Sequence, residues 1–465
     1  MSPSFTQRTF WWIPAFVLAA FVLYWPTLSF TPFSDDHSAL WNSGVRDIPW
    51  RTGFFRPLSD LTFRVGYLFD GTAVETHRAF NVFVHGLNAF LLFVLCRQWS
   101  FAGGAYFAAA LFVVYPFHQE SIVWLVGRES ALGASAVMLG LVIAGSALPS
   151  FLRLLLMSMI MLLGSLCYES ALLLLPLALL IKWSGLMPHW PRARQIALVL
   201  GSMTAIHFML RSTGMALGDG GYLHDLLPTD PSAFLQRIPK TLARLFLSPE
   251  PDTSAQLIHG AVLLFALVML VVLMRRAKEV IAVRSRIVLW MLLILLSCSI
   301  AVIAGVSTVT SESDRYLYLP SAFLCGLVGL LLSRMQRPVL RWGAFMIIGI
   351  VSLWQTSINH ANWRAASATT ESCIARLPEI PEDGQLWVSE LPSDHHGAFI
   401  FRNGFPEAMD LHGKAGKRII VVPSGVPLQE VRGNGLLFRG THRTWGRSDR
   451  WYRWNGSGYT AELPQ

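Results

Sequence analysis

The chain contains a series of apolar runs, each close to the length that crosses a lipid bilayer. A spanning α-helix needs about 20 mostly apolar residues, and such runs recur through the first three quarters of the 465 residues. Only 14% of the residues are charged, against about 25% in soluble domains. We therefore predict a polytopic α-helical membrane protein. Eleven transmembrane helices are predicted at about 10–30, 79–97, 101–116, 130–147, 151–167, 170–183, 194–211, 255–274, 286–304, 316–333 and 340–357.

Basic residues set the orientation of these helices. If the N-terminus is cytoplasmic, the cytoplasmic segments hold fourteen Lys and Arg residues and one acid, Glu279. Such enrichment of basic residues is typical of cytoplasmic loops. The net charge of +9 is therefore a topology signal, and we expect no nucleic-acid partner. No small-residue cleavage site follows the first run, which predicts an uncleaved helix.

Two long outer loops and a distinct tail complete the predicted organisation. The first outer loop covers 31–78 and the second covers 212–254, and both include segments with helical apolar spacing. Residues 1–357 form the predicted membrane domain. From 358 to 465 short β-prone runs alternate with Gly and Pro turns, including "QLWVSEL", "GAFIFRNG", "KRIIVVPSG" and "GLLFRG". This pattern predicts a small β-rich domain on the outer, periplasmic side.

Ionisable residues of both signs collect in the outer turns. Buried ionisable groups near a bilayer are costly and usually functional, so their shared side indicates a site at the outer rim. The second helix adds a polar stripe on one face, spaced by three or four residues. The candidate residues in the turns are Asp35, Asp36, His118, Glu120, Arg128, Glu169, Asp314 and Arg315, and those in the stripe are His77, Asn81, His85 and Asn88.

Each of these features has a purely structural alternative. The aspartate pair could cap a helix that starts near His37. The Asn and His stripe could form hydrogen bonds between helices without any chemistry. Glu120 and Arg128 could form an internal salt bridge. The five cysteines show no metal-ligand spacing.

Four blocks, in the order found here, resemble membrane glycosyltransferases of the GT-C fold. They are "RAFNVFVHGLNAFLLFVL", "LFVVYPFHQESIVWLVGRESALGA", "YESALLLLPLALL" and "SDRYLYLPSAFL". The chain is most similar to the tetratricopeptide-containing transmembrane O-mannosyltransferases and their bacterial relatives, without the repeats. "FFRPLSDLTFRV" in the first outer loop fits the same pattern. The resemblance implies a GT-C-like bundle, a polyprenyl-phosphate-linked sugar donor and a catalytic acidic pair in the first outer loop.

The resemblance and the residue chemistry together suggest roles for the candidates. Transfer needs a base for the acceptor hydroxyl and donors for the departing phosphate. We assign the base to Asp35 or Asp36 and favour Asp35. A divalent cation on the pair is an open possibility. The other assignments are Arg128 and Arg315 to the phosphate, His118 to phosphate or sugar, Glu120 and Glu169 to orientation, and His77, Asn81, His85 and Asp314 to support.

Two other classes of function remain possible at this level. The chain could be a transporter or flippase of polyprenyl-linked glycans, although such carriers place coupling groups near the bilayer midplane. It could also be a non-enzymatic envelope protein whose aromatic tail binds glycan. The expected location is the bacterial inner membrane, in contact with membrane lipids. The sequence does not specify the sugar or the acceptor, which could be a protein, a lipid or a glycan.

Overall fold

The computed structural model describes the outer turns and most of the apolar helices. The described residues are 11–44, 55–99, 101–187, 189–213, 231–249, 281–427, 430–432, 435–438 and 441–462. The predicted helix at 255–274 and the greater part of the loop 212–254 lie outside these ranges.

The described part of the chain is mostly helical. A helix occupies each predicted apolar run within it, and five of these helices are long and apolar enough to cross a membrane. A membrane protein built from transmembrane helices is thus confirmed. The helices are α1 Trp12–Tyr24, α2 Asp35–Gly44, α3 Pro57–Asp70, α4 Val74–Gln98, α5 Ala102–Val113, α6 Gln119–Ile122, α7 Arg128–Ala144, α8 Ser150–Ser165, α9 Leu174–Trp183, α10 Ala193–Thr213, α11 Pro231–Arg244, α12 Ile281–Ser297, α13 Ser299–Ala304, α14 Tyr318–Ser333, α15 Pro338–Ala375 and α16 Phe405–Leu411.

Helix α4 lies at the centre of the bundle. It packs against α1, α5 and α7, while α5 also packs against α14. The last contact is very close because Gly104 of α5 faces Gly329 of α14. A Cβ on Gly104 would lie 2.4 Å from the Gly329 carbonyl oxygen. Small residues allow membrane helices to approach in this way and to gain van der Waals contact.

Substitution of Gly104 by Ala is expected to separate α5 from α14 and to destabilise the protein. Overpacking of this kind costs about 1–3 kcal/mol. Gly103, its neighbour in the same helix, has no atom within 4 Å of its Cβ position, so Gly103→Ala provides the matched control. The melting temperature (Tm) in detergent should fall for Gly104→Ala and stay constant or rise for Gly103→Ala. Equal Tm values for both variants would contradict the packing.

The first outer loop contains the short helices α2 and α3. In α3 the apolar residues Leu61, Val65 and Leu68 are all exposed, as expected for a helix that lies at a membrane interface. A single glycine, Gly71 with φ +59°, ends this helix and turns the chain into α4. The loop therefore brings α2 and α3 back over the outer end of the bundle.

The C-terminal part combines short strands with a helix. The strands are β1 Leu386–Ser389, β2 Asp394–His395, β3 Ala398–Phe399, β4 Ile419–Val421, β5 Leu436–Phe438, β6 Thr441–Arg443, β7 Arg450–Trp454 and β8 Tyr459–Ala461. A mixed sheet has the order β4-β1-β7-β8, in which β1 is parallel to both neighbours and β8 is antiparallel to β7. Each of the four quoted β-prone runs contains a strand. Helix α16 packs against α2.

Helix α15 links the bundle to this C-terminal part without a break. It runs through the predicted boundary at 357 and ends at Ala375. Its membrane half is largely exposed, whereas Trp363, Ala366 and Cys373 in its outer half are buried. These residues share one apolar cluster with Tyr24 and Phe399. The C-terminal part is therefore packed directly on the outer end of the bundle.

Candidate functional site

The turn at residues 31–34 leads directly into the two aspartates, which are the first two residues of helix α2. Asp36 is fully buried, and its carboxylate accepts three backbone N–H bonds. Its Oδ2 accepts from Phe33 at 3.1 Å and from Leu125 at 3.1 Å, and its Oδ1 accepts from Val126 at 3.0 Å. This carboxylate thus joins the first outer loop to the segment that follows helix α6.

Burial dominates the electrostatics of Asp36. It raises the pKa of Asp36 from 3.8 to about 7, against the lowering effect of the three backbone donors and of the Arg78 charge. Asp35 is only half-buried. The adjacent carboxylates therefore lie in different environments: Asp36 joins two segments of the protein, and Asp35 is the partly exposed first residue of α2.

The pair does not fit a cation held between two carboxylates. Three N–H groups point at the Asp36 oxygens, at positions where a metal would need free lone pairs. Among the residues that the structure describes, no three His, Cys, Asp or Glu side chains group together as metal ligands.

Helix α4 fixes the segment 119–127 through its polar stripe. Asn81 Nδ2 donates to the carbonyls of Ile122, Trp124 and Leu125 at 3.1–3.3 Å. Arg78 is fully buried, and its Nε donates to the Val123 carbonyl at 2.8 Å. The sequence analysis identified Asn81 as a candidate but missed Arg78, although Arg78 is the first residue of the block "RAFNVFVHGLNAFLLFVL".

Arg78 also organises the entry to the aspartate turn. Its Nη1 donates to the carbonyls of Thr27, Leu28 and Phe30 at 3.0, 2.7 and 2.6 Å, and its Nη2 donates to that of Thr31 at 3.3 Å. A single guanidinium therefore donates to four carbonyls of residues 27–31 as well as to the segment 119–127. The aspartate turn and the segment 119–127 share this one anchor.

Glu120 and Arg315 form an ion pair at the same rim. Arg315 Nη1 donates to Glu120 Oε1, and the backbone N–H of Arg315 donates to Oε2 at 3.0 Å. Glu120 is almost fully buried, whereas the Arg315 side chain is 21% exposed. The guanidinium also lies over the rings of Tyr316 and Trp124, at 4.6 and 5.3 Å. Glu120 thus pairs with Arg315 in this structure, where the sequence suggested Arg128.

A small cleft opens beside this guanidinium. It has a free volume of only about 10 Å³, room for about one water molecule, between α7, α12–α13 and the turns at 168–173 and 314–319. The polar residues along it are Ser130, Tyr168, Ser170, Ser297, Arg315 and Tyr316. Hydroxyl and guanidinium groups bind oxyanions, but this space is smaller than a phosphate.

A second ion network lies on the other side of Tyr168. Arg56 Nη1 donates to Glu129 Oε2, and its Nη2 donates to Glu169 Oε2 at 3.0 Å. Arg211 Nη1 donates to the other oxygen of Glu169 at 2.7 Å. The Arg56 guanidinium lies 4.6 Å from the centre of the Tyr168 ring. Four residues from four separate chain segments meet in this network. The sequence analysis had named only one of them, Glu169, as a site residue.

Glu169 is held ionised by its two arginines. Burial alone would raise its pKa, but Arg56 and Arg211 outweigh burial and lower the pKa from 4.5 to about 2. A depressed carboxyl pKa contributes stability that is fully present above pH 4.5 and is lost as the pH falls toward 2.

Replacing Glu169 by Gln is expected to destabilise the protein near pH 7 by on the order of 3 kcal/mol. The gap in Tm between wild type and Glu169→Gln should shrink as the pH is lowered from 4.5 toward 2, because the wild-type carboxylate then gains a proton. Glu379→Gln, at an exposed glutamate, is the matched control. A gap that does not depend on pH would contradict the ionised network.

Arg128 and His77 lie deeper in the fold. Arg128 is fully buried and donates to the carbonyls of Leu125 and His77 at 3.1 and 3.0 Å and to Thr62 Oγ1 at 3.2 Å. Its guanidinium stacks 3.9 Å from the centre of the Phe63 ring. These contacts bind α3 and α4 to the segment 119–128.

The remaining candidates form contacts between elements of the bundle. His85 bonds to the Tyr318 hydroxyl at 2.8 Å, and His118 bonds to Ser321 Oγ at 2.7 Å. Asn88 donates to the Ala131 carbonyl at 3.0 Å. Asp314 pairs with the buried Arg244 of α11. The structure thus brings the outer-turn residues to one rim, with the histidines buried beneath them.

The whole architecture matches a known fold. The solved structure of ArnT from Cupriavidus metallidurans bound to undecaprenyl phosphate superposes with a TM-score of 0.50, over 91% of this chain and 92% of that chain, at 15% identity. No family model matches the chain. The chain thus has the fold of the GT-C membrane glycosyltransferases, as the resemblance implied.

Shorter stretches of the sequence are similar to O-mannosyltransferases. The protein O-mannosyl-transferase Tmtc1 of Drosophila melanogaster is 33% identical over 129 residues, which cover 23% of this chain and 15% of that protein. TMTC3 of Mus musculus is 31% identical over 80 residues, covering 17% and 9%. Tmtc2 of Xenopus laevis is 36% identical over 76 residues, covering 16% and 9%. The chain therefore spans a small part of these relatives, and the predicted resemblance to membrane glycosyltransferases is confirmed.

Proposed function

We propose that this protein transfers a sugar from a polyprenyl-phosphate donor to an acceptor hydroxyl at the outer face of the membrane. The observation that most favours this function is that a half-buried carboxylate, Asp35, and the partly exposed side chain of Arg315 lie at the same rim. Asp35 adjoins Asp36, whose carboxylate binds residues 125 and 126. Arg315 lies over Trp124 of the same segment.

In the proposed mechanism Asp35 is the catalytic base. It takes the proton of the acceptor hydroxyl while that oxygen attacks the anomeric carbon. A new carbon–oxygen bond forms as the bond from that carbon to the phosphate oxygen breaks, and the polyprenyl phosphate leaves with the electron pair. Direct attack inverts the anomeric centre. Asp36 stays bound to the backbone and fixes the turn.

Arg315 is the proposed partner of the leaving phosphate. Its guanidinium is held by Glu120 and by the Tyr316 hydroxyl, 3.1 Å from Nη2, so it needs little reorganisation as charge develops on the phosphate. Tyr168 and the cleft hydroxyls lie beside it, and this cleft would have to open before they could contact a phosphate. Arg56 with Arg211, through Glu169, would hold the opposite wall, and Arg128, His77, Asn81, His85, His118 and Asp314 would support the rim from within.

The proposed orientation and donor follow from the charge pattern and the relatives. The N-terminus would be cytoplasmic, eleven helices would span a bacterial inner membrane, and residues 358–465 would be periplasmic. The ArnT structure holds undecaprenyl phosphate, and the curated relatives are named for transfer of mannose. A polyprenyl-phosphate mannose is therefore the first donor to test.

The test is a bond-cleavage assay in proteoliposomes with radiolabelled polyprenyl-phosphate sugars, mannose first, and cell-envelope extract as acceptor. The proposal expects release of polyprenyl phosphate together with label in an acceptor. Movement of intact donor across the bilayer, without cleavage, would instead identify a flippase. Absence of cleavage with every donor would overturn the proposal.

Replacing Arg315 by Lys is expected to raise the donor KM about tenfold. Lysine keeps a positive charge beside Glu120 but lacks the fork that binds two phosphate oxygens. Arg453→Lys, at an exposed arginine that pairs with Glu462, is the matched control and should leave the KM unchanged. An unaltered donor KM in Arg315→Lys would remove Arg315 from the phosphate site.

A further inference from the structure

The C-terminal part holds the residue just before Asp35. The backbone N–H of Ser34 donates to the Ile400 carbonyl at 2.8 Å. The Asn403 N–H donates to Ser34 Oγ at 3.3 Å. Gly404 packs so closely on Ser34 that a Cβ there would lie 2.3 Å from the Ser34 carbonyl oxygen. Residues 400–404, here called the clamp, therefore contact the N–H, the side chain and the carbonyl of Ser34.

Ser34 has a backbone conformation that this clamp helps to maintain. Its φ is +47°, in the left-handed region that non-glycine residues rarely adopt. Such strain persists only where the surroundings over-determine it. The carbonyl of Ser34 accepts the N–H of His37 at 3.2 Å, so the direction in which α2 begins depends on this conformation. The position of Asp35 follows from it.

A second element fixes the other side of the turn. The N–H of Thr31 donates to Ser367 Oγ of α15 at 3.0 Å. Phe33 packs edge-on against Trp363 of the same helix, with ring centroids 4.8 Å apart. The turn therefore contacts α15 on one side and the clamp on the other.

The same C-terminal stretch also contacts the other two turns of the rim. Phe399 packs against Trp124 with ring centroids 4.9 Å apart. Arg402 pairs with Glu312, and Ser311 Oγ donates to the His396 carbonyl at 3.1 Å. Residues 396–404 thus touch the segment before Asp35, the segment that follows Glu120 and the segment before Arg315. A separable binding module would not need contacts to all three.

We propose that residues 400–404 position the Asp35 carboxylate, so that the C-terminal part is a component of the transfer site. This inference rests on the proposed function and deepens it. Asn403 and Gly404 are positioning residues in this account, because they act on the reaction through Ser34. The acceptor then approaches Asp35 past the clamp.

Gly404→Ala tests the clamp, with Gly413→Ala as its matched control. Both glycines have positive φ, +80° and +70°, but a Cβ at position 413 has no atom within 4 Å. In both variants alanine is strained by the positive φ. Only in Gly404→Ala does the added Cβ also clash with the Ser34 carbonyl oxygen. Ser34→Ala, which removes the acceptor of the Asn403 N–H, is a second and milder variant.

Two measurements on the full-length variants in proteoliposomes complete the test. We expect Gly404→Ala to lower kcat for sugar transfer at least tenfold with the donor KM changed less than twofold, and Ser34→Ala to lower kcat severalfold. Hydrogen exchange of residues 31–37 should rise in Gly404→Ala and not in Gly413→Ala. Equal kcat and equal exchange in the two glycine variants would overturn the clamp. If wild type transfers no sugar while Gly404→Ala still loosens residues 31–37, the proposed function fails and the contact stands as structural only.

Discussion

Asp35→Asn is expected to abolish sugar transfer while the protein stays folded. An amide cannot take the proton of the acceptor hydroxyl, and loss of a general base typically costs 10²–10⁴-fold in rate. Asp35 is the half-buried first residue of α2, so the isosteric amide should be tolerated. The measurement is kcat for release of polyprenyl phosphate, together with Tm in detergent.

Asp36→Asn is the matched comparison. For this variant we expect a loss of stability and no separate loss of catalysis. Three backbone N–H groups point at the Asp36 oxygens, and an amide NH₂ would face at least one of them. Leaving a buried donor without an acceptor costs about 1–3 kcal/mol. Tm should fall clearly, and any transfer that remains should reflect the folded fraction. A well-folded, inactive Asp36→Asn together with an active Asp35→Asn would reassign the base to Asp36.

Arg78→Met is expected to cause the largest loss of stability among single substitutions at the rim. Arg78 donates to five carbonyls in two segments. Methionine fills similar space but removes these hydrogen bonds, at about 1–3 kcal/mol for each carbonyl that is left without a donor and that water cannot reach. The protein should aggregate or melt well below wild type, as measured by Tm and by size-exclusion profile.

Two further variants sharpen this prediction. Arg78→Lys keeps the charge but cannot donate from a planar fork to several carbonyls at once, so it should be only partly stable. Arg364→Met, at an exposed arginine of α15, should melt like wild type. If Arg78→Met melted like Arg364→Met, the aspartate turn would not depend on this anchor.

Apolar length predicted the membrane helices because bilayer thickness acts on composition directly. The run at 79–97 corresponds to Val74–Gln98 and the run at 316–333 to Tyr318–Ser333. Helix α15 shows the limit of the method. Its apolar run ends near 357, yet the helix continues to Ala375 because the buried Asn359, Trp363 and Ala366 pack against the outer end of the bundle.

The membrane side predicted for each turn placed the charged residues at one rim. It could not show which of these residues form ion pairs with each other. The spacing of Glu120 and Arg128 would place them on the same side of a continuous helix. The chain instead bends after Ile122, and the Glu120 carboxylate bonds to Arg315, 195 positions away. The difference between Asp35 and Asp36 is equally invisible in sequence. It depends on backbone N–H groups of residues 125 and 126, which every residue except proline possesses.

Contacts of the C-terminal part were the least predictable feature. Short β-prone runs between Gly and Pro turns indicated strands there, and the strands are present. Nothing in those runs indicates that Gly404 packs on Ser34 or that Phe399 packs on Trp124. Such contacts join residues hundreds of positions apart, and only the folded chain specifies them.

The most direct test of the transfer site is a cryo-EM structure of the protein with polyprenyl phosphate bound in nanodiscs. The account predicts the phosphate against the Arg315 guanidinium at the outer rim, with the Asp35 carboxylate facing the same space and the prenyl chain entering the bilayer between helices. A phosphate bound among the basic residues of the opposite, cytoplasmic face, with no space between Asp35 and Arg315, would contradict it.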